Sequence, residues 1–101
     1  MKILTFENYD VETKNKDNIV KFYADWCAPC KRLAPKIEAM SNDFPNINFL
    51  EVNVDESPEL VKKFGVRGIP HIVHINKQGQ IQDQIVDSNV NKILEIVNNI
   101  E

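Results

Sequence analysis

Cysteine is scarce here: the 101-residue chain holds only two, Cys27 and Cys30. A scaffold stapled by several disulfides is therefore excluded, and a chain of this length can build a core without staples. There is no basic cluster, and the net charge is −3. Nucleic acid is thus not an expected partner. No apolar run approaches membrane-spanning length, so no membrane association is expected either. The opening Met1-Lys2-Ile3-Leu4-Thr5-Phe6-Glu7 lacks the long apolar core of a signal peptide. The expected location is therefore the reducing cytoplasm, where a lone Cys-x-x-Cys is more often catalytic than structural. Repeats, low-complexity segments and linkers are absent, which implies a single domain over residues 1–101. With 43% hydrophobic and 27% charged residues, the composition is that of an ordinary soluble globular protein.

The informative stretch is Trp26-Cys27-Ala28-Pro29-Cys30, which holds both thiols two residues apart. A helix start brings such a pair together, because positions i and i+3 share a face. Pro29 suits the first helical turn, where a missing N–H costs nothing. Cys27 is then expected at the helix N-terminus, where free N–H groups and the helix dipole favour its thiolate. Cys30, one turn inside, is expected to be more buried and to keep its proton longer. A nucleophilic thiol backed by a resolving thiol is a device for thiol–disulfide exchange. Two plainer readings compete. In a zinc site His71 and His74 would complete the ligand set, but their odd offset in a strand points them to opposite faces. A purely structural bridge closing so small a loop would remove little unfolded-state entropy.

The rest of the chain alternates strand and helix signals. Ile3 to Phe6 is a short candidate strand, and Glu7 to Lys14 a short candidate helix before the loop Asn15-Lys16-Asp17-Asn18. Ile19 to Ala24 is a near-continuous apolar run, as in a strand buried on both faces. Pro29 to Asp43 carries Cys30, Leu33, Ala34, Ile37 and Met40 at helical spacing, with Pro35 expected to kink it. Ile47 to Val54 is the next strand. Ser57 and Pro58 open a helix that Gly65 ends, and Leu60, Val61 and Phe64 form its apolar face. His71 to Ile75 and Gln80 to Val86 form a hairpin around Asn76-Lys77-Gln78-Gly79, the second strand alternating as an edge does. Ser88 is expected to cap a last helix whose Val90, Ile93, Leu94, Val97 and Ile100 share a face. A βαβαβ half followed by ββα gives an α/β fold: a mixed sheet with helices on both faces.

Trp26-Cys27-Ala28-Pro29-Cys30-Lys31 after a buried strand, Pro35 in the helix and then Gly68-Ile69-Pro70 resemble the thioredoxin family along essentially the whole chain. The resemblance implies a five-stranded sheet of order 1-3-2-4-5, with the cysteine-bearing helix packed on the central strand. It implies a cis bond before Pro70, which faces the cysteine pair. It also implies that the backbone of Ile69 pairs with a substrate peptide as an added strand.

Four departures stand out. Ala28 replaces the usual glycine after the first cysteine, a mild change for a helix. Val86-Asp87-Ser88 replaces a glycine-containing turn beside the cysteines. Asp87 is either a negative charge at the peptide groove, favouring basic partners, or a solvent-facing residue that opens the last helix. His71 stands after the proline where a small polar residue is common, either titrating near the thiols or simply packed. Lastly, the family usually buries an acid six residues before the first cysteine, as proton acceptor for the second thiol, with a lysine on the neighbouring strand. Here those positions are Lys21 and Glu51, an exchanged pair. Each interrupts an apolar run, so they are expected to pair across adjacent strands unless both snorkel to the solvent rim.

The function implied is that of a protein disulfide reductase. Partners dock along Trp26, Ala28, Pro29, Ile69, Pro70 and Val86, while Cys27, Cys30, Glu51 and Lys21 form the catalytic set. No metal or bound cofactor is expected, since the cysteine pair carries the electrons. The resemblance implies disulfide-containing protein substrates and recharging by thioredoxin reductase, with NADPH as the ultimate donor, in a protein expected to be monomeric. The alternatives are a thioredoxin-like binding subunit of a larger assembly, or a disulfide oxidase or isomerase. Ala28-Pro29 between the cysteines does not favour the latter.

Overall fold

The strongest apolar run lands in the middle of the sheet. In the computed structural model, which describes residues 1–100, β2 (Asn18–Tyr23) is buried along almost its entire length. It pairs in parallel with β3 (Asn48–Asn53) and antiparallel with β4 (His71–Ile75). β1 (Lys2–Ile3) lies parallel to β3, and β5 (Ile81–Val86) closes the other edge antiparallel to β4. The order is β1-β3-β2-β4-β5, the expected five-stranded mixed sheet.

Alternation along β2 divides the core in two. Ile19 faces α2 (Ala28–Asp43) and α4 (Val90–Ile100), packing with Leu33, Ile37, Ile93 and Val97. Val20 and Phe22 face the opposite way, onto Leu60 and Phe64 of α3 (Pro58–Phe64) and Tyr9 of α1 (Tyr9–Thr13). Phe22 and Phe64 meet edge to face, centroids 5.7 Å apart.

Several boundaries differ from the sequence expectation for local reasons. The first strand stops at Ile3. Beyond Leu4, Thr5 and Asn8 exchange backbone-to-side-chain hydrogen bonds, at 2.7 and 3.2 Å, and turn the chain. Phe6, expected in that strand, is 58% exposed on the turn. Helix α1 is correspondingly short. Asn89, rather than Ser88, caps α4: its Oδ1 accepts the Asn91 N–H at 2.9 Å. Ser57 does stand at the N-cap of α3, but its side chain makes no capping bond and its backbone carbonyl accepts from Leu60 and Val61. Gly65 ends that helix in the left-handed region at φ 63°, where a side chain would be strained. Helix α2 continues through Pro35, which lacks the N–H that would reach the Lys31 carbonyl. Among the described residues no helix is long and apolar enough to cross a membrane.

Candidate active site

Strand β2 ends at Tyr23, and the chain turns through Ala24-Asp25-Trp26 into α2. Cys27 is the helix N-cap, and its Sγ accepts the Cys30 N–H at 3.2 Å. A cap normally carries an oxygen acceptor; here sulfur occupies that place, aimed at the free N–H groups of the first turn. Cys27 and Cys30 are joined in a disulfide, with Cα atoms 5.3 Å apart. Both residues are buried, Cys27 at 5% and Cys30 at 2% exposure. Cys27 is therefore less open than its helix-terminal position suggests, because Ala24, Val54 and Ile69 close around the pair.

Trp26 stands beside the disulfide at 70% exposure, a largely open ring. Its indole N–H donates to Asp55 Oδ2 at 2.9 Å, which anchors one edge of the ring to the loop after β3. Ile69–Pro70 is a cis bond, with Pro70 buried and Ile69 half-buried against the cysteines. Trp26, Val54, Val61, Val66, Arg67 and Ile69 line a groove of about 270 Å³ next to the sulfurs. Val86, 57% exposed, flanks the same end of the sheet and leans on Gly68. A β-carbon on Gly68 would come within 3.0 Å of Val86 Cγ1, so the absence of a side chain there sets how closely the two meet. Val54, Val61, Val66 and Arg67 were not singled out for this groove from the sequence. The signal available was a valine on either side of Gly65, Val61 on the helix's apolar face and Val66 just past its end.

Beneath the disulfide is a second hollow, about 190 Å³, lined by Lys21, Tyr23, Asp25, Cys30, Lys31 and Glu51 among others. Lys21 and Glu51 are directly opposite each other in the parallel β2–β3 register. Their charged atoms are 3.5 Å apart, and the side chains are 4% and 23% exposed respectively. The lysine is the inner partner and the glutamate the outer one. Lys21 Nζ also lies 5.4 Å from the centroid of the Tyr23 ring. Burial raises the Tyr23 pKa, reinforced by the Glu51 and Asp25 charges, so the phenol stays neutral at physiological pH.

The two histidines lie apart from one another. His71 meets Phe22 edge to face and contacts Gln84 through Nε2 at 2.9 Å, while its Nδ1 is buried without a partner. His74 points to the other face and contacts Asp17 at 3.1 Å. Asp87 lies just before the last helix, two residues ahead of its cap Asn89. It accepts the Asn89 N–H at 2.8 Å and pairs with Lys92 at 3.2 Å. These contacts, the backbone bond first, hold its carboxyl below the usual range.

A family model described as Thioredoxin matches residues 1–99. Thioredoxin of Rickettsia bellii is 35% identical over 100 residues, covering 95% of this chain and 94% of its own length. Thioredoxin of Staphylococcus saprophyticus is 37% identical, covering 82% of this chain and 80% of its own length. Thioredoxin-2 of Pyricularia oryzae is 36% identical over 87% of this chain, which spans only 51% of that protein. The X-ray structure of Fasciola hepatica thioredoxin superposes with a TM-score of 0.91, at 31% identity and over 100% of both chains. The chain belongs to the thioredoxin family: it is a thioredoxin-type thiol–disulfide oxidoreductase, a protein disulfide reductase whose active-site disulfide is Cys27–Cys30.

Proposed function

We propose that the reduced protein acts in the cytoplasm on disulfide-bonded protein partners and is recharged by thioredoxin reductase, with NADPH as the ultimate donor. The observation that carries this reading is the placement of the Cys27 sulfur. It caps a helix, accepts an N–H and lies beside an apolar groove. A partner segment lies along Trp26, Ala28, Pro29, Ile69, Pro70 and Val86, its backbone pairing with Ile69. The Cys27 thiolate, favoured by the helix N-terminus, attacks one sulfur of the partner disulfide and expels the other as a thiolate. Cys30 then gives its proton to Glu51, whose carboxylate at the rim of the lower hollow passes it to solvent. The Cys30 thiolate attacks Cys27, closing the intramolecular disulfide and releasing the reduced partner. Relatives of this chain include Thioredoxin-3, mitochondrial, of Saccharomyces cerevisiae, 34% identical over 76 residues. The family's chemistry is therefore not tied to one compartment.

The test is turnover of a protein disulfide with NADPH and thioredoxin reductase, followed as NADPH oxidation. The parent chain should sustain it and Cys30→Ser should not. Equal turnover by both would remove Cys30 from the cycle. A reduced chain that reacts with the partner but is never recharged would remove the reductase from the proposal.

A further inference from the structure

The resolving step requires a thiolate at Cys30, and its surroundings mostly oppose one. The residue is 2% exposed, and burial disfavours the charged thiolate. It lies in the first turn of α2, where the dipole's influence is already falling. The charged and titratable groups that face it are few. Strand β2 offers Lys21 and Tyr23, the loop after it Asp25, helix α2 Lys31, and strand β3 Glu51. Asp25 and Lys31 are exposed and screened by water, and Tyr23 is neutral. Among the described residues the only buried cation in the hollow is Lys21, and its one ionic partner is Glu51 on the outer side.

We propose that Lys21 is a positioning residue whose buried ammonium stabilises the Cys30 thiolate, with Glu51 as the outer counter-ion that offsets part of the ammonium charge. This rests on Cys30 being the resolving thiol, as proposed above. The step balances. The Cys30 S–H proton leaves through the Glu51 rim to solvent, and the sulfur electron pair forms the new bond to Cys27 Sγ. The bond between Cys27 and the partner breaks, and the partner sulfur leaves with that pair and takes a proton from solvent. The cysteine pair is oxidised and the partner disulfide reduced by two electrons. Without Lys21, the thiolate would form beside a carboxylate alone, like charge against like. Without the Glu51 charge, it would form beside an uncompensated ammonium. The two changes therefore act in opposite directions. A side-chain pair serving only the fold would move neither.

The test uses the full chain carrying Cys27→Ser, in which Cys30 is the only thiol, and follows thiolate ultraviolet absorbance against pH. Lys21→Met should raise the titration midpoint by about one pH unit, about a tenfold lower thiolate fraction at pH values below the midpoint. Glu51→Gln should lower the midpoint, and Lys21→Arg should keep it near the parent value. A midpoint unmoved or lowered by Lys21→Met, or raised by Glu51→Gln, overturns the proposal. If Glu51→Gln does not fold, the Met and Arg variants at position 21 decide it alone. The titration needs no partner, reductase or turnover. Failure of the disulfide-reduction assay with these shifts intact would therefore count against the proposed cycle and not against Lys21.

Discussion

The asymmetric burial of the Lys21–Glu51 pair predicts asymmetric costs when either charge is removed. At 3.5 Å and an effective dielectric of about 20, the bare attraction is about 4–5 kcal/mol. Desolvation offsets much of it, and mostly at the lysine, since Lys21 is 4% exposed and Glu51 23%. Glu51→Gln leaves a buried ammonium with no counter-ion and should cost about 3 kcal/mol. Lys21→Met replaces that ammonium with an apolar group of similar length, while the remaining carboxylate can turn to water. Its cost should be about 0–1 kcal/mol. The double variant should then resemble Lys21→Met alone, a coupling of about 3 kcal/mol. Urea unfolding of the oxidised protein at neutral pH measures all four corners of the cycle. An unchanged dependence on denaturant would show that the unfolding transition itself is intact. Equal losses for the two single variants would show that desolvation is shared evenly, and a larger loss for Lys21→Met that Glu51 is the desolvated partner. Strict additivity would show that the side chains do not interact.

Three further outcomes follow from the site. Trp26→Ala should weaken partner docking, seen as a raised KM. It should cost only about 0.5 kcal/mol of stability, because the ring is 70% exposed; a loss of about 3–5 kcal/mol would place it in the core. Gly68→Ala should push Val86 outward from its 3.0 Å approach and raise KM for protein disulfides, with folding nearly unaffected; an unchanged KM would remove Val86 from the docking surface. Asp87→Asn should lower the Tm at neutral pH. The carboxyl is held low in the folded state, so its contribution is present above the unfolded value, about 3.9, and is lost as pH falls through the lower folded value. The Tm gap between parent and variant should therefore close as pH falls through the lowered folded value; a gap independent of pH would mean that the charge is not what matters.

Much of this architecture could be read from the chain because local and global signals agree. The run Ile19 to Ala24 is apolar on both alternating faces but for Lys21, as a strand covered on both sides requires, and it became the sheet centre. Cys27 and Cys30 fell at a helix start because Pro29 and the spacing fit nothing else as well. What was illegible depended on contacts distant in sequence or on short polar exchanges. The stop after Ile3 is set by the Thr5–Asn8 exchange, and the α4 cap by Asn89 one residue past Ser88. Asp87 could be read as a groove charge or as a helix opener; its bonds to the Asn89 N–H and to Lys92 tie it to the start of α4. The docking groove was half visible. Trp26 and Ile69 came from the motifs, whereas Val54, Val61 and Val66 join only when β3 and α3 are brought beside α2. Lys21 and Glu51 were conspicuous as charges in apolar runs, but which of them lies deeper is a property of the packing.

The account's central claim is that one intramolecular dithiol carries two electrons to a partner disulfide. Intact mass after mixing reduced protein with excess protein disulfide tests it most directly. The chain should lose two hydrogens and carry no adduct, while the partner gains two thiols and Cys30→Ser retains a partner adduct on Cys27. A stable adduct on the parent chain, or two thiols still free after the partner is reduced, would contradict it.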